Sequence, residues 1–157
     1  MAPLWIGVAM GIGGTVAMDV WARIAAGLGI SGAPNWAMPG RWLAHVFRGR
    51  VFHDDIAAAD PVGGELRLGW VFHYAVGILY GVIFALWAGA EWLATPTFVP
   101  VWIFALVTIL AGWMLLLPGM GLGWFAAKTP APWKTRALGL VAHTIFGLGM
   151  FGVAVAL

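Results

Sequence analysis

The stretch LGWVFHYAVGILYGVIFALWAGA, residues 68–90, decides the fold, because it carries no Asp, Glu, Lys or Arg. A helix needs about 20 mostly apolar residues to cross the roughly 30 Å of hydrocarbon in a bilayer. A lone apolar segment can satisfy its backbone in lipid only as a helix. Three further stretches have the same character, at residues 4–27, 98–117 and 138–157. The sequence therefore predicts an all-α membrane protein with four transmembrane helices in one domain, residues 1–157.

The composition agrees with this prediction. The chain is 62% hydrophobic and 9% charged, with a mean hydropathy of +0.94, whereas soluble domains carry about 25% charged residues. So few charged side chains exclude an ordinary water-soluble enzyme, and nothing in the sequence indicates catalysis. The absence of cysteine excludes disulfides, thiolate metal sites and iron–sulfur clusters.

The basic residues flank the apolar segments, so they indicate topology and not binding to nucleic acid. All eight lie in or beside the first and third loops: Arg23, Arg41, Arg48, Arg50, Arg67, Lys128, Lys134 and Arg136. Loops rich in Lys and Arg stay in the cytoplasm. We therefore expect a multi-pass protein of the bacterial inner membrane, with both termini in the periplasm.

The first loop, residues 31–66, is the only sizeable segment between spans. Arg41, His45 and Arg48 recur in it at helical spacing among apolar neighbours. This pattern predicts a short amphipathic helix, Arg41–Val51, at the cytoplasmic interface, although an irregular loop that caps the bundle is the alternative. Further along, His53-Asp54-Asp55 is interpreted as a solvated turn or a helix cap.

The second and fourth spans resemble each other. Leu68-Gly69-Trp70-Val71-Phe72-His73, with Gly77 four residues on, matches Leu138-Gly139-Leu140-Val141-Ala142-His143, with Gly147 four residues on. The simplest interpretation is a duplicated helical pair, so that the four helices form two tandem pairs in a parallel repeat. A chance match between apolar, glycine-rich segments remains the alternative.

Three spans each hold one ionisable residue, namely Asp19, His73 and His143. An ionisable group inside a membrane is a functional-site hypothesis by default, because its burial is costly. Each lies on a row of small residues at every fourth position, which is typical of the face where membrane helices pack. At 1.5 Å per residue, the histidines lie roughly 8 Å and Asp19 roughly 12 Å inside the cytoplasmic ends of their spans.

Three groups at similar depth could form one site. Two imidazoles and a carboxylate can bind a divalent metal or form a proton-accepting cluster, and two histidines could ligate a b-type haem. The supporting residues in these interpretations are Thr15, Arg23, Tyr74 and Thr144.

A purely structural role for the polar residues is the competing interpretation. Asp19 and Arg23 are spaced i, i+4, as in an intrahelical ion pair. Each histidine could donate to a backbone carbonyl or to Thr144 and so hold helices together. Two function classes therefore stay open. One is a unit for proton- or metal-linked transport or sensing, and the other is an accessory subunit of a larger respiratory, photosynthetic or transport complex. In either class, a chain this small is expected to act as a homo-oligomer or within such a complex.

Several short motifs resemble those of a family of small uncharacterised bacterial membrane proteins, domain of unknown function 2938. They are Gly14-Thr15-Val16-Ala17-Met18-Asp19, Gly40-Arg41-Trp42, Gly69-Trp70-Val71-Phe72-His73-Tyr74, Pro118-Gly119-Met120-Gly121, Lys128-Thr129-Pro130-Ala131-Pro132 and His143-Thr144-Ile145-Phe146-Gly147. The resemblance implies the four-span architecture and carries no activity, substrate or cofactor.

Overall fold

The computed structural model describes residues 2–157, and that part of the chain forms five helices joined by turns. They are α1 (Ala2–Gly27), α2 (Ala37–Val46), α3 (Glu65–Ala94), α4 (Phe98–Gly119) and α5 (Pro132–Ala156). All except α2 are long and apolar enough to span a membrane. This confirms the all-helical fold and the four predicted spans. Most of the helix ends differ from the predicted span ends by only a few residues.

Two of the spanning helices contain irregularities that the sequence pattern did not predict. α3 is interrupted at Gly89, whose φ of 75° and ψ of 179° lie outside the helical region. α4 changes to a π-helical turn over Gly112–Leu116 before its last residues, Leu117–Gly119. Such a turn places an extra residue in the helix and occurs often at functional sites.

The chain divides into two compact units. The first unit contains the chain up to Pro34, Tyr74–Thr108 and Leu140–Leu157, and the second unit contains Asn35–His73 and Ile109–Gly139. The apolar core of the first unit consists of Met10, Phe84, Val101, Ala105, Phe146, Met150 and Ala154. The second unit has a smaller core formed by Trp42, Ile56 and Met120.

In the first unit, glycines let α1 and α3 approach until their backbones touch. A Cβ atom added at Gly7 would lie 2.7 Å from the Cα of Val82, and one added at Gly81 would lie 2.5 Å from the backbone nitrogen of Gly11. Real Cβ atoms essentially never come this close, so larger side chains would force the helices apart. The small-residue rows predicted as packing faces are confirmed for this pair of helices.

α1 separates its packing face cleanly from its outer face. Gly7, Gly11, Thr15 and Asp19 are buried. Ile12, Val16, Val20 and Ile24 repeat on another face and are between 40% and 50% exposed. A row of exposed branched aliphatic side chains on an apolar helix is suited to lipid, whereas the polar residues face protein.

In the second unit, α2 packs against the start of α3 at two glycines. A Cβ atom at Gly40 would lie 2.6 Å from the backbone nitrogen of Gly69, and one at Gly69 would collide with the carbonyl oxygen of Trp36. Trp42 on α2 closes the small core and donates its indole N–H to the Val51 carbonyl at 2.8 Å.

The helix predicted in the first loop is present, but its bounds and its polar face differ from the prediction. It begins at Ala37 and ends at Val46 instead of covering Arg41–Val51. Arg41 and His45 are both only 7% exposed, while Phe47, Arg48, Gly49 and Arg50 are exposed. The polar face expected of an amphipathic helix is therefore not solvated at Arg41 and His45, because hydrogen bonds within the protein offset their desolvation.

Candidate intramembrane polar site

Asp19 is the buried carboxylate of the first unit. It lies on α1, between the middle of the predicted first span and its C-terminal end, and is 4% exposed. The hydroxyl of Tyr74, on α3, donates a hydrogen bond to its Oδ2 atom at 2.9 Å. This bond partly offsets the cost of holding a carboxyl group inside an apolar bundle.

The two other polar residues on the same row of α1 have different surroundings. Thr15 is 1% exposed, and its hydroxyl donates to the Gly11 carbonyl at 2.8 Å, within its own helix. Arg23 is exposed and close enough to Tyr74 for electrostatic interaction. The structure therefore places Tyr74 beside Asp19, and the predicted Asp19–Arg23 ion pair stays a prediction.

His143 in α5 is tied to the backbone of α4. Its Nδ1 atom lies 2.9 Å from the Ala105 carbonyl oxygen and 3.1 Å from the Thr108 hydroxyl, which itself donates to the same carbonyl at 2.7 Å. A carbonyl oxygen only accepts, so the proton of neutral His143 sits on Nδ1 and leaves Nε2 as the basic nitrogen. The predicted bond to a backbone carbonyl is confirmed, whereas the hydroxyl of Thr144 accepts the Trp102 indole N–H at 3.1 Å.

His73 belongs to the second unit and is surrounded by tryptophans. Its ring stacks on Trp36, with centroids 3.8 Å apart and an interplanar angle of 24°, and meets Trp70 edge-on at 6.0 Å. In the described part of the chain, the Trp36 indole nitrogen is the one buried side-chain polar atom without a hydrogen-bond partner. The aromatic stack fixes His73 in a setting unlike that of His143.

The predicted shared site of Asp19, His73 and His143 stays a prediction, since its members divide between the two units. Among residues 2–157 no group of three or more His, Cys, Asp or Glu side chains is placed to hold a metal ion. The structure therefore adds no support to the metal interpretation. The repeat and the haem interpretation likewise remain predictions.

A second buried polar network, centred on Arg41, was not predicted from the sequence. The guanidinium forms a two-pronged ion pair with Glu65, with Nε–Oε2 and Nη2–Oε1 distances of 2.9 and 2.8 Å. Its Nη1 atom donates to the carbonyls of Ile56, Ala57 and Ala59 at 3.0–3.2 Å. Hydrogen bonding to the Glu65 carboxylate raises the pKa of Arg41 above its ordinary value, so this residue stays charged and clamps the loop.

The same network contains two buried histidines. The Nδ1 atom of His45 lies 2.8 Å from Nε2 of His53, and the outer nitrogens of the pair face the carbonyl oxygens of Asp60 and Gly119. His53 is 6% exposed, so its predicted solvation is wrong. The turn is confirmed at Asp55, whose carboxylate accepts the Ala57 N–H at 2.8 Å.

One signal in the sequence could have indicated this network. Arg41 and His45 are spaced i, i+4 on a helix whose neighbouring residues are mostly apolar. They therefore lie on the same face of the helix and are either both buried or both exposed. The partner that decides between these outcomes is Glu65, which lies 24 positions further along the chain.

The four long apolar helices define a small multi-span membrane protein, and Asp19, Arg41, His45 and His53 are among its buried polar side chains. Residues 8–157 match the family described as Protein of unknown function (DUF2938), and the chain belongs to that family. This match confirms the resemblance drawn from the short motifs. Comparison with curated proteins and with solved structures finds no match.

Proposed function

We propose that the chain is a unit for proton-linked transport or sensing in the bacterial inner membrane, with Asp19 as the group that binds the proton. The observation that carries the proposal is a carboxylate, 4% exposed, on a candidate membrane span. Such groups are rare in membrane spans because their charge is costly there, and they commonly mark proton or ion pathways.

The bond between Asp19 and Tyr74 suits this role. The Tyr74 hydroxyl donates a hydrogen bond to the carboxylate when Asp19 is charged. When Asp19 is protonated, the Tyr74 oxygen can accept a hydrogen bond from it. The contact at 2.9 Å can therefore survive both states.

His143 is the second proton-accepting group of the first unit in this proposal. Its tautomer is fixed by the Ala105 carbonyl, which leaves Nε2 to take up a proton. We keep His73 as the third predicted member. A metal at these residues is a weaker form of the proposal, because no triad of ligands is assembled among the described residues.

The accessory-subunit hypothesis is favoured by a different observation. Several polar side chains of the first unit form hydrogen bonds between helices. His143 bonds to Ala105 on α4, Trp102 to Thr144 on α5, and Tyr74 to Asp19 on α1. Polar bonds between membrane helices stabilise bundles without any transport role. A subunit of a larger complex would need no more than this.

An isosteric substitution separates the two hypotheses. Asp19→Asn keeps an oxygen that accepts the Tyr74 hydroxyl but removes the proton-binding carboxylate. We expect purified protein in liposomes with an internal pH-sensitive dye to conduct protons, and the Asn variant to lose this flux while folding normally. Asp54→Asn, which changes an exposed loop carboxylate, is the matched control and should conduct like the wild type.

The outcomes are distinct. Flux that is equal in the wild type and in Asp19→Asn removes Asp19 from the pathway. Wild-type protein that dissipates no pH gradient and shows no pH-dependent change in Tyr or Trp fluorescence overturns the proposal and leaves the accessory-subunit hypothesis.

A further inference from the structure

His45 and His53 form a linear chain of hydrogen bonds in the second unit. The chain runs from the Asp60 carbonyl to His45 Nε2 at 3.2 Å, from His45 Nδ1 to His53 Nε2 at 2.8 Å, and from His53 Nδ1 to the Gly119 carbonyl at 3.0 Å. Both imidazoles are buried. The backbone N–H of His53 also donates to the Gly119 carbonyl, at 2.9 Å.

The number of protons decides which of these bonds can exist together. Carbonyl oxygens only accept, so each outer contact needs an N–H from a histidine, and the contact between the two rings needs one more. Three contacts therefore require three protons, whereas two neutral imidazoles supply two. A neutral pair must leave one contact with two acceptors facing each other.

We propose that His45 and His53 together form a proton-binding site that carries one positive charge in the native protein. The neutral pair keeps its two shorter contacts and loses the longest one, between His45 Nε2 and the Asp60 carbonyl. The third proton therefore binds at His45 Nε2 and restores the bond to Asp60. A fourth proton has no place, because it would set two N–H groups and two positive charges against each other at 2.8 Å.

The charged groups around the pair permit a single positive charge. Arg41, one turn before His45 on α2, is neutralised by its ion pair with Glu65, and the Glu65 carboxylate is close enough to interact electrostatically with His45. The carboxylates of Asp54, Asp55 and Asp60 are exposed and carry negative charge on the same segment. The α4 segment that provides Gly119, residues 109–119, contains no titratable side chain.

Protonation at this site controls how the first loop is held. Through His53 the loop reaches Gly119, the last residue of α4, and through His45 it reaches α2. The third proton adds the contact at Asp60, at the point where the chain turns towards α3. The pair is thus a pH-dependent latch between the loop and the end of α4, and it does not depend on the function proposed for Asp19.

The proton count can be measured directly. In full-length protein with ¹⁵N-labelled histidine, in detergent micelles at neutral pH, we expect three protonated nitrogens among the four of this pair, with one proton coupled to nitrogens of both rings. His45→Gln and His53→Gln assign the signals. Two neutral single-tautomer rings throughout about pH 5 to 8, where histidine normally titrates, would overturn the proposal.

Stability provides a second measurement. At alkaline pH, where both histidines of the unfolded chain are neutral, the folded pair binds more protons than they do. At acid pH, where both histidines of the unfolded chain are charged, the folded pair binds fewer. Stability should therefore fall with rising pH on the alkaline side and with falling pH on the acid side, which gives a maximum between them. His53→Gln supplies an amide that both donates and accepts, so it should fold and flatten this maximum.

The matched control is Arg48→Gln, which changes an exposed side chain just past α2 that does not titrate near neutral pH, and it should leave the maximum unchanged. A maximum that persists in His53→Gln, or that disappears equally in Arg48→Gln, contradicts the assignment to this pair.

Discussion

The two units of the molecule are stabilised in different ways. In the first unit, glycines bring backbones into contact, and its buried polar groups make isolated bonds, such as Tyr74 to Asp19. In the second unit, one arginine joins a helix, a loop and the start of α3 through an ion pair and three carbonyl bonds.

The difference follows from what each unit has to order. Helices satisfy their own backbone groups, so the first unit needs only close packing between apolar faces. The second unit contains residues 47–64, a non-helical segment whose buried carbonyl groups need partners. Arg41 supplies partners for three of them with a single nitrogen atom. A polar loop near a membrane is thus fixed by a few charged side chains, and apolar helices by many small contacts.

The largest expected effect concerns membrane sidedness, which gives an all-or-none result. The second unit contains seven of the eight basic residues, since Arg23 alone lies in the first. We expect reporter fusions to place residues 31–66 in the cytoplasm and the C-terminus, Leu157, in the periplasm. A cytoplasmic C-terminus would contradict either the orientation or the presence of four spans in the membrane.

Removal of the clamp should destabilise the second unit strongly. Arg41→Leu leaves the Glu65 carboxylate, 17% exposed in the native pair, without its cation, and we expect a loss on the order of 3 kcal/mol. Thermal unfolding in detergent measures the loss, and limited proteolysis should show earlier cleavage within residues 47–64.

Arg48→Leu is the matched control, because Arg48 is an exposed arginine just past the same helix, and we expect a change within about 0.5 kcal/mol. If Arg41→Leu behaves like Arg48→Leu, the loop is held by its apolar contacts and the contrast between the units disappears.

An added methyl group tests the glycine packing of the first unit. Gly11→Ala places a Cβ 2.5 Å from the Ile78 Cα, and such overpacking costs about 1–3 kcal/mol. Gly152→Ala, in α5, meets nothing within 4 Å and should be neutral or stabilising by up to about 1 kcal/mol. Unfolding of both variants in mixed micelles measures the difference, and equal stabilities would refute backbone contact between α1 and α3.

The smallest effect is expected at His143. His143→Ala removes one hydrogen bond to the Ala105 carbonyl, which is worth about 1 kcal/mol, and His143→Gln should recover part of it because its amide donates. The same unfolding measurement applies. A loss as large as that of Arg41→Leu would mean that His143 holds the first unit in the way that Arg41 holds the second.

Helix spacing in the sequence was sufficient to predict the packing face of α1. Gly7, Gly11, Thr15 and Asp19 repeat every fourth residue, and the geometry of a helix puts such residues on one side whatever surrounds it. All four are buried. The spans followed from length and hydropathy for the same reason, since both are properties of one continuous segment.

The partners of the polar groups could not be predicted in this way. Tyr74 lies 55 positions from Asp19, and Gly119 lies 66 positions from His53. His73 and His143 occupy matching places in the sequence, yet one stacks on Trp36 and the other bonds to Ala105. Which side chain meets which depends on how distant segments pack.

The sequence by itself determined that the chain has four apolar segments long enough to span a membrane. It also identified the ionisable residues within those segments, whose burial needs an explanation. Only the tertiary structure decided that Arg41 and His53 are buried and not solvated, and that Tyr74 is a partner of Asp19. The physical reason is the range of each effect. Periodicity and hydropathy act along one segment, whereas the desolvation of a polar group is offset only by partners that folding brings from elsewhere in the chain.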